Sequence, residues 1–140
     1  MIRNIYFTKF HSLLKFGIFF FGGGGGELTT RILRIQNQVI RSMVAVSSRT
    51  PCKQLFKELN ILTLVSLYTM EVMCYTRKHH QFVDLNSNIH AHNTRRKMDI
   101  HIQSYNTDLY KRSIINMRTK LYNKLPGYIK EIVIRPLRRN

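Results

Sequence analysis

Apolar residues recur at helical spacing from the start of the chain. Phe7, Phe10, Leu14, Gly17, Ile18 and Phe21 predict a helix with one face toward a core. Five consecutive glycines, Gly22 to Gly26, then predict a flexible break. Beyond it Leu28, Ile32, Ile35, Val39, Met43 and Val46 form one face of a second helix, and Arg31, Arg34, Gln38 and Arg41 another. Thr50 and Pro51 suit a helix start, so a short helix is expected from Cys52 to Leu59, ending at Asn60. From about Thr63 to Phe82 apolar residues surround the axis: Leu64, Val65, Leu67, Tyr68, Met70, Val72, Met73 and Tyr75. That pattern predicts the buried centre of a bundle, with Glu71 paired to an arginine of the preceding helix. A polar stretch follows to Thr94, and Ile100 and Ile102 alternate with His101 and Gln103 as a short extended piece. Leu109 to Leu125 reads as one helix, ended by Pro126 and Gly127, with a last turn from Tyr128 to Ile132. The expected fold class is mainly α: a small irregular helical bundle with a polar loop and a short extended segment around residues 84–108.

Charge changes this picture most. The 140 residues include 23 Lys and Arg against 7 Asp and Glu, a formal net charge of +16. Residues 1–70 hold nine basic and two acidic residues, residues 71–140 fourteen and five, so the basicity belongs to the whole body of the chain. Hydrophobic residues make up 44%, too many for a disordered basic tail. A folded chain with this charge points to a polyanion, nucleic acid before an anionic membrane. Arg31, Arg34 and Arg41 share one helix face and suit successive phosphates. Asn93-Thr94-Arg95-Arg96-Lys97 is the densest basic run, where guanidiniums bind phosphate bidentately and the polar side chains set register. A solvated basic face is the competing reading of both groups.

Several chemistries are not supported. Lys15 cuts the apolar N-terminal stretch and no small-residue cleavage site follows, so neither export nor a membrane span is expected. Gly26 is followed by Glu27-Leu28-Thr29 where a P-loop needs Lys and Ser or Thr. The dinucleotide fingerprint fails as well: its third glycine falls on Glu27 or Thr29. Cys74 with His79, His80, His90 and His92 lacks the paired spacing of a zinc site, and no metal or cofactor is expected. Asp84, Asp99 and Asp108 are scattered, and no nucleophile–base spacing stands out, so no catalytic residues are assigned. Two cysteines, Cys52 and Cys74, suit a reducing compartment, hence an intracellular location, nuclear or cytoplasmic.

The residues of five stretches go further. YFTKFHSLLKFGIFFFG (6–22), RIQNQVIR (34–41), CKQLFKELNILTLVSLYTMEVMCY (52–75), IHAHNTRRK (89–97) and LYNKLPGYIKEI (121–132) resemble, in order and spacing, the C-terminal region of a polymerase family. The family is the RNA-directed DNA polymerases of non-LTR retrotransposons, of the jockey-like, insect-type LINE group. The resemblance spans residues 1–132, with a glycine hinge at 22–26, and leaves 133–140 as a divergent basic tail. It implies a thumb and post-palm region that grips an RNA–DNA template–primer through its backbone. The family's metal-binding aspartates and catalytic palm lie upstream of the matching stretches, so the resemblance implies no activity from this chain alone and a palm supplied in trans. Phe21 stands where the family commonly has Trp. After Ile132 the family continues into another amphipathic helix, whereas VIRPLRRN departs from it, as a frameshifted or degraded element would. Two alternatives remain: a membrane-associated basic protein anchored by residues 5–21, or a non-functional relic reading frame.

Overall fold

The structure, a computed structural model, describes residues 2–21, 26–92 and 94–134. It is mainly helical, and the described residues contain no strand. The predicted glycine break lies, apart from Gly26, outside the described residues, as do Asn93 and residues 135–140 of the expected tail. The chain divides into two compact units, Met1–Tyr68 and Thr69–Asn140.

In the first unit, α1 (Ile2–Ile5), a π-helical stretch (Tyr6–His11) and α2 (Ser12–Phe21) follow without interruption. The i→i+5 bonding of the π stretch turns later residues relative to a plain α-helix. Tyr6, Leu14 and Ile18 are buried, while Phe16 and Phe20 face outward. Next come α3 (Glu27–Val44), α4 (Cys52–Glu58) and the start of α5 (Leu64–Lys78). Tyr6, Ile40, Cys52, Leu55, Phe56 and Ile61 form the core, with Phe7, Phe10, Val39 and Met43 against it.

Both α3 and α4 end in the same way. Ala45 and Asn60 take left-handed φ of 55° and 51°, and the next amide closes back onto the helix: Val46 N to Arg41 O, Ile61 N to Phe56 O. This Schellman closure satisfies carbonyls that the helix end would leave unpaired. Asn tolerates the left-handed region, which is why Asn60 was legible as a stop.

The burial of α3 corrects the expected face. Leu28 and Ile35 are 56% and 51% exposed, whereas Gln36 and Ile40 are buried. Gln36 sits in the core because every polar atom of its side chain is used. Its Nε2 donates to the Tyr6 hydroxyl (3.0 Å) and the Leu62 carbonyl (2.9 Å), and its Oε1 accepts from Leu64 N (2.9 Å). Helix α5 is likewise not enclosed all round. Leu64, Leu67, Tyr68, Val72 and Thr76 are buried, but Val65, Met70 and Cys74 are exposed. Small units bury a smaller share of their surface, and here one side of the helix stays outside. Helix α4 starts at Cys52, as expected, with Pro51 as its N-cap.

The second unit holds the rest of α5, a 3-10 turn (His80–Phe82), α6 (Asn86–Ile89), α7 (Asp108–Arg112), α8 (Ile114–Asn123) and α9 (Gly127–Ile134). The extended piece exists as one antiparallel bridge between Leu85 and Ile100. Ile100 is buried with Tyr122 and Val133, and Val83, Leu85, Leu125 and Ile129 pack on them. Asn123 fastens this segment on both sides, accepting from Ile100 N (2.8 Å) and donating to Ile100 O (2.9 Å). Val133 and Ile134 thus belong to α9, so the expected tail begins inside a helix. The single helix expected over 109–125 is two. Ser113 leaves the helical region at ψ 151° and its hydroxyl accepts from Asn116 N, capping α8. Leu109, on α7, stays 86% exposed.

Burial, and next the negative charge of Asp99, push the Tyr122 hydroxyl up to about 12. The folded chain therefore holds its proton to higher pH than the unfolded one, for which tyrosine titrates near ~10. The stabilisation is complete below pH ~10 and is lost as pH rises toward 12. Urea midpoints measured from pH 9 to 12 should fall across that window, and Tyr122→Phe should flatten the fall. An unchanged slope in the variant would remove Tyr122 as its source.

Candidate nucleic-acid interface

Helix α3 positions the first basic group. Arg31 and Arg34 lie three residues apart, both exposed, with Gln38 continuing the same outward face. Neither arginine has a hydrogen bond or ion pair from its side chain among the described residues. Arg41, expected with them, is drawn away: its Nε donates to the Thr50 carbonyl at 2.9 Å and the residue is half-buried. It ties the loop after α3 to the helix, so its first role is structural.

The second basic group sits on a turn of the other unit. Thr94, Arg95, Arg96 and Lys97 are all exposed, and the backbone around them is well fastened. Lys97 N donates to Thr94 O (3.1 Å) and Asp99 N to Arg96 O (3.0 Å), closing the turn. From α6, Asn86 Nδ2 donates to Arg96 O (3.0 Å) and Ser87 N to Lys97 O (3.1 Å). The carbonyls of Thr94, Arg96 and Lys97 are thereby occupied, and the three cationic side chains have no partner among the described residues. An ordered turn presenting three neighbouring cations loses less entropy on meeting a phosphate than a mobile loop would.

Not every basic residue of the sequence pattern is available. Arg118, on α8, is only 9% exposed and its Nη2 donates to the Phe82 carbonyl at 3.3 Å. Lys130 is also committed, to Asp99 Oδ1 at 2.6 Å. The Asn116 and then the Lys120 side chain, both on α8, hold the Tyr105 hydroxyl below the ordinary tyrosine value, with the charge of Lys111 adding to it. Lys120 also lies 5.7 Å from the centre of the Tyr105 ring.

Among the described residues no cluster of three or more His, Cys, Asp and Glu side chains could hold a metal ion. His90 and His101 do meet, with ring centres 5.5 Å apart. No described helix is long and apolar enough to cross a membrane. The sequence reading missed a groove of about 670 Å³ in the first unit, lined by α3, α4 and the segment after it. Its one legible sign was the i, i+4 pair Lys53 and Lys57. No family model, no curated protein and no solved structure matches the chain.

Proposed function

We propose that the chain binds nucleic acid through backbone phosphates, as the thumb and post-palm part of a non-LTR retrotransposon RNA-directed DNA polymerase, without a catalytic palm of its own. The observation that carries the binding is the set of five exposed cations, Arg31, Arg34, Arg95, Arg96 and Lys97, whose side chains are committed to nothing among the described residues. Cations that have no internal partner gain most from a phosphate, since no existing bond must be broken. The polymerase origin rests on the five resembling stretches alone. Retention inside a cell follows from the same reading, in the nucleus or the cytoplasm.

Binding of the full chain to an RNA–DNA hybrid should weaken steeply from low to physiological salt. Arg95→Ala/Arg96→Ala/Lys97→Ala should reduce the salt slope by about three and weaken binding by about tenfold or more. The control, Lys78→Ala/Lys111→Ala/Lys124→Ala, removes the same charge from other exposed positions and should lose clearly less. Equal losses in the two variants would leave only general basicity, and absent binding would overturn the proposal.

A second reading, attachment to a lipid surface, draws on Leu13, Phe16 and Phe20, all well exposed on α2 at i, i+3 and i+7. Binding to neutral vesicles that persists at physiological salt separates this reading from the first.

A further inference from the structure

The groove in the first unit has a chemistry of its own. Leu33, Phe56 and Leu62 give it an apolar lining. Two carboxamides, Asn37 and Asn60, also line it, and neither side chain has a hydrogen-bond partner among the described residues. Lys53 and Lys57, one turn apart on α4 and both exposed, supply two cations with no ion-pair partner among the described residues. At about 670 Å³ the groove falls within the usual size of small-molecule sites.

Few ligand classes answer all three features. An anionic amphiphile would match the apolar lining and the lysines. It would, however, offer no hydrogen-bonding group to Asn37 and Asn60. Inorganic phosphate would use the lysines alone. A nucleotide has a base with apolar faces and hydrogen-bonding edges, and a phosphate beside it. Carboxamides pair with base edges, apolar and aromatic side chains take base faces, and lysines take phosphate.

We propose that this groove is a nucleotide site. The base packs against Leu33, Phe56 and Leu62, Asn37 and Asn60 read its edge, and Lys53 and Lys57 hold the 5′-phosphate. None of the five exposed cations lines the groove, and a free mononucleotide would bind even if the polynucleotide reading failed. An unpaired nucleotide of a bound strand presents the same chemistry as a free one.

The test is calorimetric titration of the full chain, at physiological salt, with adenosine and uridine 5′-monophosphates, inorganic phosphate and decanoate. Saturable binding of at least one mononucleotide, tighter than that of phosphate or decanoate, is expected. Lys53→Ala/Lys57→Ala should weaken it about tenfold, as the loss of charged hydrogen bonds does. Asn37→Ala/Asn60→Gly removes both carboxamides while Gly keeps the left-handed turn at position 60, so the variant keeps its fold. It should weaken mononucleotide binding by about fivefold and leave phosphate binding unchanged. Arg95→Ala/Arg96→Ala/Lys97→Ala, whose residues do not line the groove, should leave mononucleotide binding within about twofold. That last variant separates failure here from failure of the polynucleotide reading. Phosphate binding as tightly as the mononucleotides would reduce the site to two lysines, and tighter binding of decanoate would make it an amphiphile site. Either result, or a carboxamide variant that binds normally, overturns the proposal.

Discussion

Replacing Gln36 by leucine should lower the stability of the full chain by about 3 kcal/mol in urea denaturation at neutral pH. The substitution keeps a side chain of similar bulk at a position that is fully buried. What it removes is the set of three hydrogen bonds to Tyr6, Leu62 and Leu64. Leu64 is itself fully buried, and its amide is one of the unpaired donors at the start of α5. Without Gln36 Oε1 that donor has no acceptor, and the Leu62 carbonyl loses its donor too. Each such loss costs about 1–3 kcal/mol when water cannot reach the group, offset in part by the apolar contacts that leucine gains. A loss below about 0.5 kcal/mol would mean that the groups find other partners or water. The network would then not be what turns this face of α3 inward.

Lys130→Met is expected to have an effect of comparable size in the second unit. Lys130 and Asp99 keep only 13% and 15% of their side-chain surface exposed. The ammonium also donates to the Asn123 carbonyl at 3.0 Å and lies 5.8 Å from the centre of the Tyr122 ring. Methionine replaces the stem and leaves the Asp99 carboxylate largely buried beside apolar side chains with its cation gone. Removing one partner of a buried pair costs about 3–5 kcal/mol, and the partial exposure here places the expectation near ~3 kcal/mol. Lys130→Met/Asp99→Asn should recover more than half of the loss, because the unpaired charge disappears with the second change. No recovery in the double variant would show that Lys130 acts through packing on Tyr122 and not through Asp99.

The helices themselves were legible because their signals are local. The period of apolar residues, Asn60 as a left-handed stop and Pro126-Gly127 as a break all act within a few residues. The break in the predicted 109–125 helix was legible too, since Ser113 directly before Ile114 is an N-cap signal. Apolar residues on both sides of it, Leu109 and Ile114, mask that signal. The cations of residues 95–97 stood out as a short basic run, and the structure leaves them exposed. Arg41 and Arg118 could not be told from them by sequence. Their partners are backbone carbonyls, of Thr50 nine residues away and of Phe82 thirty-six residues away, and no residue type marks a carbonyl as available. The groove was hidden for a similar reason, because Leu33, Phe56 and Leu62 come from three separate segments.

Sequence by itself determined the helical character of the chain and its excess of positive charge, since turn-to-turn hydrogen bonds, capping residues and side-chain ionisation are local properties. Tertiary packing alone decided which face of each helix is buried and which cations remain free. A buried polar group costs least where distant atoms complete its hydrogen bonds, as Tyr6, Leu62 and Leu64 do for Gln36. That same requirement took Arg41, Arg118 and Lys130 out of the set of available cations and left Arg31, Arg34 and the turn at 95–97 in it.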